Sequence, residues 1–91
     1  MVGPVSIKFR ISRVLLSTET YSIGLVGNLA ALNDWDISVP VAVNGRMNLV
    51  DVREGTWESQ EVPVDASELG RVLDYKYVVM TNEDQMIVEI E

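Results

Sequence analysis

The sequence contains neither histidine nor cysteine. The chain therefore has no imidazole base, no thiolate nucleophile, no imidazole or thiolate metal ligand and no disulfide bond. These absences exclude nucleophilic catalysis by a Ser–His or Cys–His pair. Carboxylates are the only common catalytic groups that remain, so we expect a non-catalytic protein that carries no cofactor.

Basic residues are scarce as well, since 7 Lys and Arg stand against 14 Asp and Glu and give a net charge of −7. Nucleic-acid binding depends on Lys and Arg that neutralise phosphates, so nucleic acid is not expected as a partner. The sequence also has no apolar run of membrane-spanning length and no signal-peptide core, which argues against a membrane partner. The cell compartment stays open, and the absence of cysteine slightly favours an intracellular one.

The apolar residues follow a period of two. Residues 5–12 alternate apolar and polar side chains, which is typical of a strand with one face on the core, and this pattern places Phe9 in the core. Further strands are predicted over residues 21–26, 39–43, 47–52, 57–64, 73–80 and 86–90. About seven short strands predict one all-β domain over residues 1–91, folded as an antiparallel immunoglobulin-like β-sandwich.

Turn-forming residues separate these strands. Asn44-Gly45 predicts a type I′ hairpin turn between the third and fourth strands. Residues 81–84 predict the turn between the last two strands. One stretch resembles a helix, since Asp65 can cap it, Glu68 follows three residues later and Gly70 can end it. It is too short to be more than a single turn in a loop.

Trp35 lies within Asn33-Asp34-Trp35-Asp36, a polar sequence with no apolar alternation that would direct the indole into the core. An exposed indole presents a large apolar surface to water, so we expect a ligand or a neighbouring segment to cover it. A pyranose ring, with its apolar face and polar edges, is a suitable ligand. The alternative is that Trp35 folds back as a plug over one end of the sandwich.

Several sequence segments together carry a family resemblance. Residues 24–36, GLVGNLAALNDWD, resemble the "hydrophobic-V-G-x-x-x-x-L-G-x-W-D" signature of starch-binding modules of carbohydrate-binding module family 20. Residues 74–79, DYKYVV, are similar to the family's "E-Y-K-Y/F" strand, and residues 89–91 fall at its "E-W-E" position. Trp57 precedes an acidic strand, as in the family. The resemblance covers residues 5–91.

This resemblance implies a non-catalytic sandwich that binds the α-1,4-glucan of starch or glycogen, or a malto-oligosaccharide. By match to the family, Trp35 stacks on a sugar ring, Lys76 donates hydrogen bonds to hydroxyl groups and Glu91 assists them. Ile90 stands where the family has a second Trp platform and offers apolar contact without a planar face. Trp57 matches a Trp that belongs to the family's second site.

The sequence departs from the family pattern at two further places. Asn33 replaces a Gly, and Asn adopts a positive φ more readily than most residues do. The sequence also stops at Glu91, where the family continues into a closing strand. We expect either a shortened family member or a piece of a longer chain, and an edge strand exposed by the missing closing strand would favour a role in protein interaction.

Two hypotheses follow. The first is an α-glucan-binding module that targets an attached or partner enzyme to starch or glycogen. The second is a sandwich of the same ancestry that has lost sugar binding and acts in protein interaction or dimerisation through its edge strand. Minor alternatives are glycosidase chemistry on the pairs Asp34/Asp36 or Glu89/Glu91, and a calcium site on the first pair.

Overall fold

The computed structural model describes residues 5–90 and contains eight strands. The strands are β1 (Val5–Ile7), β2 (Arg10–Ile11), β3 (Tyr21–Gly27), β4 (Met47–Asp51), β5 (Thr56–Ser59), β6 (Val62–Val64), β7 (Tyr75–Thr81) and β8 (Ile87–Ile90). Three short 3-10 turns accompany them, η1 (Ala30–Trp35), η2 (Val43–Gly45) and η3 (Ala66–Glu68). The prediction of an all-β antiparallel sandwich is confirmed. Within the described residues no helix is long and apolar enough to cross a membrane.

One layer of the sandwich is a ribbon in which β1 pairs with β6 and β2 pairs with β5, and β4 lies on the other side of β5. Between the two pairings, residues 8–9 face residues 59–61. The β5–β6 side of the ribbon therefore carries one residue more than the β1–β2 side. Phe9 N donates to Ser59 Oγ at 2.8 Å, and Ser59 N donates to Phe9 O at 2.9 Å. This β-bulge divides each of the two long strands that the sequence predicts here.

The other layer is the sheet β3-β7-β8, and it is joined to the first along one side only. An isolated bridge between Gly24 and Arg46 links β3 to the start of β4. At the opposite side β2 and β8 are the outermost strands of their sheets. The sandwich is therefore closed at the β3/β4 side and open at the β2/β8 side.

The main core fills the space between the two layers. Phe9 is 5% exposed, which confirms its predicted burial, and its ring meets the Tyr75 ring edge to face at a centroid distance of 4.8 Å. The buried members of this core are Phe9, Ile23, Leu25, Leu29, Leu32, Met47, Trp57 and Val62. They come from both layers and from the loop after β3, so burial of this cluster holds the two sheets together.

A second, smaller cluster lies on the other face of the β3-β7-β8 sheet, where Val41 packs on Val26, Val78 and Met80. A Cβ at Gly24 would lie 3.0 Å from Val41 Cγ1. The absence of a side chain at Gly24 therefore leaves room for the side chain of Val41. The segment that carries Val41 thus covers part of the outer face of the sheet.

The prediction of a strand over residues 39–43 is wrong, because this segment covers a sheet face and does not join a sheet. Its alternating valines do not pair with a neighbouring strand, because the segment crosses a sheet face. Val41 N instead donates to Gln85 O in the β7–β8 loop at 2.9 Å. An alternation of apolar and polar residues over so short a segment is compatible with a paired strand and with a segment that crosses a sheet face.

The predicted type I′ turn at Asn44-Gly45 is also wrong. Neither residue has the positive φ that such a turn requires, and Gly45 N donates to Ala42 O at 2.8 Å within η2. A Cβ at Gly45 would lie 2.7 Å from Leu25 O. Glycine is therefore needed here for close backbone approach.

Two other turn predictions are confirmed. Residues 82–84 form the turn after β7. In η3 the Asp65 side chain accepts from Ser67 N, Glu68 Oε1 accepts from Asp65 N at 3.0 Å, and Gly70 follows with a φ of +86°. The capping box read from the sequence is thus present in full.

Phe9→Ala should destabilise the domain severely. Deleting a buried Phe side chain lowers the free energy of unfolding by about 3–5 kcal/mol, a large part of the stability of a domain of this size. Chemical denaturation followed by far-UV circular dichroism measures the loss. Val72→Ala, at an exposed apolar position, is the matched control and should shift the unfolding free energy by about 0.5 kcal/mol or less. Equal effects of the two changes would contradict the assigned core.

Candidate functional site

Trp35 is the last residue of η1, in the loop that leaves β3. Its side chain is 39% exposed, which confirms the expectation of partial exposure. Leu32 in the same turn is fully buried in the main core and anchors η1 there. The turn therefore combines one buried apolar anchor with one exposed indole.

The backbone of this turn is left-handed at three consecutive residues. The φ angles are +65° at Asn33, +47° at Asp34 and +65° at Trp35. Asn33, which stands where the family has a Gly, adopts the positive φ that Asn tolerates better than most residues. A left-handed conformation is unusual for a bulky residue such as Trp and costs on the order of 1–3 kcal/mol, so the surrounding structure must hold it in place.

Several hydrogen bonds hold the turn. Asn33 Nδ2 donates to Pro40 O at 2.8 Å, and Asp36 N donates back to Asn33 O at 2.9 Å. The Asp36 carboxylate accepts from Ser38 Oγ at 2.6 Å and from Ser38 N at 3.0 Å. These two bonds from Ser38 lower the pKa of Asp36 below its ordinary value of 3.8. The residues on both sides of Trp35 are thus fixed by local polar contacts.

Glu68 connects this loop to η3. Its side chain is nearly buried, and the carboxylate uses one oxygen for Asp65 N and the other for Ala30 N, the first residue of η1, at 2.8 Å. The capping-box pattern in the sequence identifies the first of these bonds. The second joins residues 38 positions apart in the chain, and no local pattern in the sequence indicates it.

Lys76 and Ile90 share the outer face of the β3-β7-β8 sheet. Lys76 pairs with Val26, and Ile90 pairs with Val78, two residues further along β7. The two side chains are therefore diagonal neighbours, at a separation of about 7–8 Å. Both are exposed, Ile90 by 43%.

The strand directions bring the start of the Trp35 loop, Lys76 and Ile90 to one end of this sheet. β7 runs antiparallel to β3 and to β8, so β3 ends where β7 begins and where β8 ends. Gly27, the last residue of β3, pairs with Tyr75, the first residue of β7. The loop that carries Trp35 thus leaves the sheet beside Lys76. Glu91, the fourth predicted site residue, lies outside the described residues.

Trp57 is placed differently from the other predicted site residues. Its indole is 3% exposed in the main core, and Trp57 Nε1 donates to Val14 O at 3.1 Å. It belongs to β5, in the layer that faces away from Lys76. The structure therefore gives Trp57 a packing role and no exposed ring face.

The pair Asp34/Asp36, which flanks Trp35, is the minor alternative for glycosidase chemistry or a calcium site. A general acid at neutral pH needs a raised pKa, whereas the pKa of Asp36 is lowered. Over residues 5–90, no group of three or more Asp and Glu side chains is arranged to hold a metal ion. The pair Asp34/Asp36 thus has no third acidic ligand within the described part of the chain.

Comparison with known proteins adds no relative. The chain matches no protein-family model, and neither a curated protein nor a solved structure matches it significantly. The resemblance to starch-binding modules therefore rests on the motif residues themselves.

Ser38→Ala should loosen the Trp35 loop in acid. A lowered carboxyl pKa contributes stability above pH 3.8, and this contribution disappears as the pH falls through the pKa of the folded state. Removing the Ser38 hydroxyl should raise the pKa of Asp36 toward 3.8, so that Trp35 fluorescence changes at a higher pH. Carboxyl chemical shifts in an NMR titration measure the pKa of Asp36, and tryptophan fluorescence over the same pH range measures the second effect. Asp84, whose pKa is lowered by Thr81, is the internal control and should keep its value in the variant.

Proposed function

We propose that this domain is a non-catalytic α-glucan-binding module whose binding site contains Trp35, Lys76 and Ile90. The observation that carries the proposal is an exposed Trp held in a left-handed turn, in the loop that leaves β3 at the end of the sheet where Lys76 and Ile90 share an exposed face. The motif resemblance selected these three residues from their order in the chain.

The three side chains suit the chemistry of a glucose unit. A pyranose ring has an apolar face of C–H groups, which can stack on the exposed indole of Trp35. Its hydroxyl groups lie at the ring edge, where the ammonium group of Lys76 can donate up to three hydrogen bonds. No ion pair involving Lys76 is found over residues 5–90, so these donors remain available to a ligand. Ile90 adds an apolar surface beside the lysine.

The fixed conformation of the loop favours binding. A flexible loop would lose conformational freedom when the sugar binds, and that loss would weaken the affinity. The bonds from Asn33 to Pro40 and from Ser38 to Asp36 order the loop when the protein folds. The unfavourable φ of Trp35 is likewise offset in folding, so the indole is in position before the ligand arrives.

The affinity for a short malto-oligosaccharide should be weak. One indole and one Ile cover less of a sugar chain than two indoles do, which suggests a dissociation constant of roughly 0.1–1 mM. Such an affinity suits a module that holds an attached or partner enzyme on a polysaccharide, because starch and glycogen present many equivalent sites and rebinding is frequent.

Trp35→Ala should nearly abolish binding of maltoheptaose. Loss of a central aromatic anchor costs about 2 kcal/mol or more, and loss of the Lys76 hydrogen bonds in Lys76→Ala costs about 1–2 kcal/mol. Isothermal titration calorimetry at two salt concentrations measures both, and the affinity of a neutral ligand should barely respond to salt. Lys8→Ala, which removes a lysine paired with Glu58 on the other layer, is the control and should bind like the parent.

Parental affinity in a folded Trp35→Ala protein would disprove the site, and unfolding of that variant would show that the indole mainly closes the sandwich.

Ile90→Trp should strengthen binding about fivefold, because a second indole beside Lys76 adds on the order of 1 kcal/mol of aromatic contact. The exposed position of Ile90 accommodates the larger ring without disturbing the core. The same titration with maltoheptaose checks the gain, and thermal unfolding confirms that the variant is folded. Val88→Trp, at an exposed position two residues away on β8, is the matched control and should leave the affinity unchanged. Equal gains in both variants would indicate nonspecific stacking.

A further inference from the structure

The loop that carries Trp35 is held at its entry by a distant segment of the chain. Residues 28–30 lead from β3 into η1, and residues 68–74 lead from η3 into β7. Within the described part of the chain, five hydrogen bonds join these two segments, and each of them spans at least 38 residues of sequence. We call these five bonds the clamp.

Asn28 takes part in four bonds of the clamp. Asn28 N donates to Asp74 O at 3.0 Å, and Asn28 Oδ1 accepts from Asp74 N at 3.0 Å. Asn28 Nδ2 donates to Val72 O at 2.7 Å, and Arg71 Nη2 donates to Asn28 O at 3.1 Å. The backbone of Asn28 and both ends of its side-chain amide are therefore directed to the segment 68–74.

Glu68 supplies the fifth bond. Its carboxylate accepts from Ala30 N at 2.8 Å and from Asp65 N at 3.0 Å. The side chain is 8% exposed, and no basic side chain over residues 5–90 forms an ion pair with it. Burial of a carboxylate without a cation is costly, so Glu68 depends on these backbone N–H donors. The two bonds fix η1 and η3 relative to each other.

The clamp also relates the Trp35 loop to Lys76. Asn28 and Asp74 continue the β3–β7 pairing by one position, and Lys76 lies two residues beyond Asp74. A Cβ at Gly27 would lie 2.6 Å from Asp74 O, so the two chains approach each other closely at this point. The start of the loop is thus fixed against the segment that leads directly into Lys76.

We propose that Asn28 and Glu68 are positioning residues of the sugar site, because the clamp holds the Trp35 loop beside Lys76. The inference rests on the proposed function, since it assigns a role within that site. Both residues act through the loop, because their polar groups are used within the clamp. A broken clamp lets the loop occupy further conformations, and the apparent affinity then falls in proportion to the fraction of molecules that keep Trp35 in place.

Two variants break the clamp without changing Trp35, Lys76 or Ile90. Asn28→Ala removes the two bonds of the side-chain amide. Glu68→Gln replaces one carboxylate oxygen by a nitrogen, which cannot accept from a backbone N–H. In isothermal titration calorimetry each variant should bind maltoheptaose about three- to tenfold more weakly, as expected where roughly a third to a tenth of the molecules keep the loop in place.

The two tryptophans separate a local effect from a general loss of stability. Trp57 is buried and bonded to Val14 O, so its indole reports on the core, whereas Trp35 reports on the loop. Without sugar, the indole N–H signal of Trp35 should shift or broaden in the NMR spectra of both clamp variants, while that of Trp57 stays in place. Ile23→Val is the matched control, because it lowers stability from within the main core and leaves the clamp intact. It should bind maltoheptaose like the parent.

Parental affinity in both clamp variants, or an unchanged Trp35 signal in both, would overturn the inference, while sugar binding by the parent protein would still stand. An equal loss of affinity in Ile23→Val would also overturn it, because binding would then follow stability alone. Failure of the parent protein to bind maltoheptaose would instead disprove the proposed function. In that case the Trp35 signal of the sugar-free variants still decides whether Asn28 and Glu68 position the indole.

Discussion

The pairing of β3 with β7 decides which side chains enter the core and which face outward. Seven consecutive residue pairs, from Tyr21 with Thr81 to Gly27 with Tyr75, fix its register. In this register Tyr77 faces the main core and its hydroxyl donates to Arg10 O at 3.0 Å, so it joins the two layers. A shift by one residue would turn Lys76 into the core and Tyr77 outward. The stability of the sandwich and the position of the proposed sugar site thus depend on the same register.

Most of the fold follows from local signals in the sequence. The alternation in residues 5–12 identifies the first strand and the buried face of Phe9, because a half-exposed strand must alternate. The capping box of η3 is readable because its polar partners are three residues apart. The positive φ of Asn33 agrees with a tolerance that resides in that residue itself. For the candidate site, local context was sufficient to predict the partial exposure of Trp35.

The features that sequence reasoning missed depend on distant contacts. The valines of residues 39–43 alternate as a strand would, but Gly24, far away in the sequence, leaves the space that Val41 occupies. Asn44-Gly45 favours a hairpin locally, yet Gly45 is used for close approach to Leu25 O. The burial of Trp57 requires the Val14 carbonyl 43 residues away. For residues 39–45 tertiary packing overrides a local preference, and for Trp57 it overrides the role that the resemblance implies.

The strand order also determines how the chain must fold. β1 pairs with β6 and β3 pairs with β7. The first strand of each pair is therefore synthesised long before its partner. Bringing together segments so distant in sequence loses chain entropy before any contact compensates for it, and domains of this kind fold on the order of milliseconds to seconds. During synthesis, Ile23 and Leu25 on β3 lack their ladder partner until β7 leaves the ribosome. The N-terminal half of the nascent chain therefore exposes its apolar residues for most of translation, when a chaperone can bind them.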